Sequence, residues 1–146
     1  MILNRRDLCR LLPTALLPGA AIAQRLTAQD TSLPSATWAF DKLPVNPANG
    51  AEIRPILKGT LATGESLEAH ETTLPPGGTP HPPHRHAHSE LWLIREGAVE
   101  ININGANHRL GPGGVGFVRS NEEHGIKNVG TTPATYFVVA VGPGAA

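Results

Sequence analysis

Gly and Pro interrupt this chain wherever an apolar segment begins to lengthen, so only short extended pieces fit between the breaks. The sixteen Gly and fourteen Pro make up about a fifth of the 146 residues, a content that favours many strands and turns over a helical bundle. Glu52 to Leu57 contains Pro55, which offers no N–H to a ladder and therefore predicts an edge position. Gly64 to Leu74 stops at Pro75-Pro76-Gly77-Gly78, and Glu90 to Arg95, dominated by Leu91, Trp92, Leu93 and Ile94, stops at Glu96-Gly97. The clearest alternation follows: Val99, Ile101 and Ile103 share one face, while Glu100, Asn102 and Asn104 share the other. That pattern predicts a half-buried antiparallel strand turning at Asn104-Gly105. Asn107 to Leu110 returns from the hairpin, Val115 to Val118 follows a second Gly/Pro turn, and Ala134 to Val141 is the last strand. No stretch after Ala23 has helical periodicity over three turns. Seven or eight short antiparallel strands in one domain predict an all-β sandwich or single-domain antiparallel β-barrel; a solenoid would need a repeat of fixed period, which the sequence lacks.

The first 23 residues differ in kind. Arg5, Arg6 and Arg10 precede an apolar run from Leu11, which ends in Ala21-Ile22-Ala23 before Gln24. A basic start, a short apolar middle and a small-residue exit predict a cleaved signal peptide over 1–23, and hence a periplasmic or otherwise exported protein. The paired Arg5-Arg6 resembles a twin-arginine signal, with Asn4, Leu8 and Cys9 following that pattern loosely. Pro13, Pro18 and Gly19 break the run, which is shorter than the roughly 20 residues that span a bilayer. Cleavage after Ala23 would remove Cys9, leaving no thiol for a disulfide, a nucleophile or a metal. It would also take Arg5, Arg6, Arg10 and Asp7 from a chain of twelve basic and twelve acidic residues. So balanced a charge supplies no field for a phosphate backbone and argues against nucleic acid as partner. Residues 24–50, rich in Thr, Ser, Pro and Asn, read as an irregular arm anchored by Trp38 and Phe40 across the domain or a partner subunit. The main domain then runs over 51–144.

Four of the seven His fall within eight positions, at His81, His84, His86 and His88. A spacing of two puts His84 and His86 on one face of an extended segment, and Glu90 has the same parity. Imidazole with carboxylate suits a divalent transition metal such as Fe, Mn, Ni, Cu or Zn, and spacing alone does not choose among them. The contrary reading is a solvated His-rich loop. His124, after the turn-like Arg119 to Glu123, is the best candidate for a further ligand, whereas His70 and His108 read as surface residues. His88 shares the ligands' parity and is the candidate catalytic proton-transfer group or fifth ligand; a bulge before Glu90 would instead throw it outward. His81, among Pro80, Pro82 and Pro83, would line a cavity mouth. Trp92 and Ile94, in phase with Glu90, would wall the cavity, with Leu91 and Leu93 on the opposite face. Phe117, Tyr136 and Phe137 read as packing, although Tyr136 could offer its hydroxyl.

These residues resemble the motifs of the cupin superfamily. Gly78, His84, His86, Glu90 and Gly97 fill the fixed positions of the first motif, and Gly113, His124 and Asn128 those of the second. Arg119 and Asn121 stand where Pro and Gly are usual. The motifs span 78–128, and with flanking strands the resemblance takes in most of 51–141. It implies a double-stranded β-helix, or jelly roll, with one metal ion held by His84, His86, Glu90 and His124. Three neutral imidazoles and one carboxylate would leave a divalent ion with net charge near +1 and open positions for a substrate oxygen, water or O2.

Fold and ligands do not fix a reaction. The resemblance implies an exported metal-dependent enzyme acting on a small organic molecule, dioxygenase-like or a non-redox lyase or isomerase. The alternative is a non-catalytic small-ligand or metal-binding protein, and a further one is a cupin-shaped domain with an empty centre. The apolar outer faces and the arm suit a homodimer; no membrane partner is expected once the signal is removed.

Overall fold

The computed structural model describes residues 31–145; the predicted signal segment 1–23 and the start of the arm lie outside them. Among the described residues the only helical element is a 3₁₀ turn, Phe40–Lys42, and the rest is strand and loop. Nine strands follow in order: β1 (Asn46–Ala48), β2 (Ala51–Thr60), β3 (Ser66–Leu74), β4 (Ser89–Glu96), β5 (Val99–Ile103), β6 (Ala106–Leu110), β7 (Val115–Val118), β8 (His124–Asn128) and β9 (Ala134–Val141). They pair antiparallel into a six-stranded sheet, β1-β2-β3-β9-β4-β7, and a three-stranded one, β6-β5-β8. The return of β9 between β3 and β4 is the crossover of the predicted jelly roll.

The core lies between the sheets: Leu74, Trp92, Ile94, Val118, Tyr136 and Val138 from the larger sheet meet Val99, Ile101 and Ile126 from the smaller. The alternation read at Val99 and Ile101 is therefore the inward face of β5, and the hairpin turns where predicted, with Asn104 at φ 49° and Gly105 at φ 85°. Pro55 sits in β2 beyond the reach of β1, which pairs only with Ala51 to Ile53, so its missing N–H faces no strand on that side. A register shift between Pro55 and Leu57 marks the same spot as irregular.

Two elements escape the sequence pattern. β1 falls within the predicted irregular arm, and β8 within what read only as a strand-turn context for His124. Of the two predicted aromatic anchors, Phe40 docks, with the guanidinium carbons of Arg54 and Arg95 5.0 and 4.7 Å from its ring centroid. Both rings stay nearly half exposed, Phe40 at 44% and Trp38 at 45%. Leu33 ties the arm to the domain by donating its backbone N–H to the Thr60 carbonyl at 2.8 Å.

The outer face of β4, β7 and β9 is apolar and open. Leu93, Val115, Phe117 and Val141 are all more than a third exposed, so Phe117 lies outside the packed interior that its sequence context predicted. Register brings Leu93 opposite Val115 and Leu91 opposite Phe117.

Candidate metal centre

The histidine-rich segment reaches the sheets along an unusual path. His84 forms an isolated antiparallel bridge with His124, each backbone N–H donating to the other's carbonyl at 3.0 Å. That bridge fastens the loop before β4 to the start of β8 and sets the two motif histidines side by side, their ring centroids 4.7 Å apart. Ring nitrogens of His84, His86 and His124 lie within 4.8 Å of one another. Glu90, the second residue of β4, brings its Oε2 to 3.1 Å from His124 Nε2 and 3.4 Å from His86 Nε2. All four predicted ligands therefore converge.

Their hydrogen bonds select the tautomers. His86 Nδ1 lies 2.9 Å from the His88 carbonyl, and His124 Nδ1 lies 2.9 Å from the Glu122 carbonyl. A carbonyl only accepts, so both imidazoles carry their proton on Nδ1 and turn an Nε2 lone pair toward the shared space. Both Nε2 atoms are buried without a hydrogen-bond partner, as is Nδ1 of His84. Such a cluster of orphaned nitrogens is costly unless something binds it. Nitrogen donors with one carboxylate form a set that could hold a divalent transition metal, so the residues fit the ion that the motifs imply.

The protonation energetics follow from packing. Burial alone would raise the Glu90 carboxyl, but His124 and His86 outweigh it and hold the group below its ordinary value. In His124 burial likewise opposes the charge, while Glu90 and the Glu122 carbonyl prevail and raise it. His84 is lowered by burial and then by the neighbouring imidazoles of His81, His124 and His86.

His88 is not thrown clear. The chain bends at Ala87-His88 before β4, yet the His88 ring stacks on His86 at 3.5 Å with 15° between planes. His86, His88 and Glu90 form a second, overlapping group with donor atoms within 4.8 Å. Burial, then His86, lowers the His88 ring below its ordinary value. Its orphaned Nδ1 adds another buried donor or acceptor to the centre.

Beside the centre lies a cavity of about 170 Å³ lined by Glu90, Trp92 and His124 with Ile53, His70, Thr72, His81, Ile126, Tyr136 and Val138 among others. Trp92 forms the expected wall, its ring centroid 5.5 Å from that of His124. His81 lines the cavity with Pro80, as its place in the Pro-rich loop predicted. Tyr136 is buried; that burial raises its hydroxyl, and the phenol engages Thr72.

His70 corrects the sequence reading. It is a cavity residue on the inner face of β3, not a surface histidine, whereas His108 is exposed on β6 as expected. The surface reading rested on its polar surroundings, and the parity of Leu67 and Ala69 likewise assigns the opposite face of β3 to the interior. That outer face is instead covered near Glu71, a fully buried carboxylate 3.3 Å from Arg95 Nη1, where Arg95 and Arg54 also lie against the Phe40 ring.

Of the two motif positions that depart from the usual pattern, Asn121 keeps the geometry of the turn, and Asn128, which fills its motif position, is held in place. Asn121 adopts φ 63°, the left-handed conformation for which Gly is the easy choice, and donates its N–H to the His86 carbonyl at 2.8 Å. Asn128 is fully buried and donates its side-chain amide to the Leu74 and Thr132 carbonyls, 3.0 and 2.8 Å away.

Comparison with known proteins agrees with this architecture. Residues 70–140 match the family model described as the cupin domain. The L-ectoine synthase of Bordetella petrii is 34% identical over 62 residues, covering 42% of this chain and 47% of that protein. The chain thus spans about half the length of the curated relatives it matches. Among solved structures, a predicted oxalate decarboxylase from Thermotoga maritima superposes with TM-score 0.63 at 20% identity, over 73% of this chain and 99% of that one. An RmlC-like cupin from Shewanella frigidimarina gives TM-score 0.62 at 20% identity, over 75% of this chain and 94% of that one.

Proposed function

We propose, from the premise that this chain belongs to the cupin superfamily, that it is an exported metal-dependent enzyme acting on a small organic molecule. The observation that carries this reading is the convergence of orphaned imidazole nitrogens and the Glu90 carboxylate beside a small cavity. His84, His86, Glu90 and His124 would hold one divalent transition-metal ion. When bound, that ion supplies Lewis-acid polarisation of a substrate oxygen or a site for O2 chemistry. The protein's own groups do the rest. Carbonyls of His88 and Glu122 fix the imidazole tautomers, and Trp92, Ile126 and Val138 keep the cavity wall apolar. At about 170 Å³ the space lies below the roughly 300–1,000 Å³ typical of drug-sized sites, which suits a small substrate. Similarity to L-ectoine synthase over 62 residues supports small-molecule turnover. In this reading the leader over 1–23 directs the protein to the periplasm or otherwise out of the cytoplasm.

A non-catalytic role as a metal-binding protein has its own support in the overlapping His86, His88 and Glu90 group, which adds His88 to the four predicted ligands. Turnover separates the two readings. Metal-stripped and metal-reloaded protein would be screened against small organic acids, alcohols and phenols, with O2 consumption and product formed as readouts. Product that vanishes on chelation and returns with metal supports the enzyme. Tight binding without product in every case supports the second reading.

A further inference from the structure

Register places a second pair of polar side chains on the inner face of the larger sheet. Glu68 of β3, Ala140 of β9 and Glu90 of β4 are consecutive partners in one row; His70, Val138 and Trp92 form the next. Glu68 and His70 on β3 thus mirror Glu90 and Trp92 on β4, two strands or roughly 9–10 Å away. In register, Ala140 is the one residue between the two carboxylates.

The pair is internally organised. His70 Nδ1 lies 3.4 Å from Glu68 Oε1, and Lys58 Nζ lies 3.1 Å from Glu68 Oε2. With Nδ1 turned to the carboxylate, Nε2 is the ring nitrogen left for the cavity that His70 lines. A carboxylate behind an imidazole orients it and stabilises the cation formed when it takes a proton. The charged and titratable groups acting on His70 are Glu68 and Glu90, which favour its charged form, and His81, which opposes it. Burial outweighs them and lowers His70 below its ordinary value, so at neutral pH the ring is free to accept. Glu90 is the one carboxylate lining the cavity, and it is engaged with His86 and His124. No free negative group remains there to hold a cation.

We propose that Glu68 and His70 form a proton-transfer dyad across the cavity from the metal ligands, acting on a small organic molecule that carries a hydroxyl. Nε2 of His70 accepts the hydroxyl proton, the electron pair stays on the substrate oxygen, and Glu68 compensates the imidazolium. This rests on the metal-dependent reading above.

The test uses the full chain loaded with zinc, glycolate as the probe, and imidazole nitrogen NMR, with His70 assigned by its loss in His70→Gln. Zinc content is measured first. The dyad predicts His70 neutral with its proton on Nδ1, and a shift of Nε2 toward its protonated position on adding glycolate. Glu68→Gln should abolish that shift while keeping zinc. An unmoved His70 while glycolate shifts the His86 and His124 resonances overturns the dyad alone, as does an undiminished response in Glu68→Gln. No zinc uptake, or glycolate that moves no imidazole, overturns the metal-dependent reading and the dyad with it.

Discussion

At the residue scale, the site depends on a few backbone positions that the chemistry never touches. Asn121 holds the turn before His124 at φ 63°, a region where a β-branched residue costs about 1–2 kcal/mol. Asn121→Val should lower stability by that amount in urea unfolding, and Asn121→Gly should leave it nearly unchanged. Gly97 is more constrained: at φ 79° an added Cβ would stand 2.6 Å from the Ala134 Cα. Gly97→Ala should therefore cost about 2–3 kcal/mol, read as a lowered denaturation midpoint. Glu71 gives a pH signature. Burial raises its carboxyl above the ordinary 4.5, with Arg95 and Arg54 opposing. Its contribution to stability is complete below that ordinary value and is lost as pH rises through the folded one. Unfolding at pH 4.5 and 7 should show the wild type losing ground to Glu71→Gln at the higher pH; a constant difference would mean an ionised Glu71 paired with Arg95. The ligands themselves were legible because spacing and parity survive in an extended chain, as at His84, His86 and Glu90. His70 was not, because its surroundings are polar and Leu67 and Ala69 advertise the wrong face.

Among the elements, the arm shows what alternation misses. Its Phe40 lies against Arg54 and Arg95, the latter paired with Glu71, contacts between segments far apart in sequence that no local pattern announces. Each exposed cation–π contact contributes about 0.5–1 kcal/mol, so Phe40→Ala should destabilise the domain by about 1–2 kcal/mol and make Glu71 titrate closer to its ordinary value. Denaturation of the variant with a pH series checks both. The strands β2, β3, β4, β5, β6, β7 and β9 were readable from Gly/Pro punctuation and apolar runs. β8 was not, because His124-Gly125-Ile126-Lys127-Asn128 has too little apolar content to stand out. It is a strand because β5 pairs with it and His84 bridges to it.

For the whole molecule, two sheets of unequal size leave one face uncovered. Leu93, Val115, Phe117 and Val141 form an exposed apolar patch on the outer side of β4, β7 and β9, of the kind that marks an interaction surface. Pairing of two copies through it is the proposed homodimer; size measurement should give twice the chain mass for the wild type and a monomer for Phe117→Asp. The central claim is that the space between the sheets is a metal centre, and elemental analysis of the purified protein, beside His84→Ala and His124→Ala, tests it most directly. The account predicts about one equivalent of a transition metal in the wild type and a sharp loss in both variants. Protein without metal, or with metal that neither substitution removes, would contradict it.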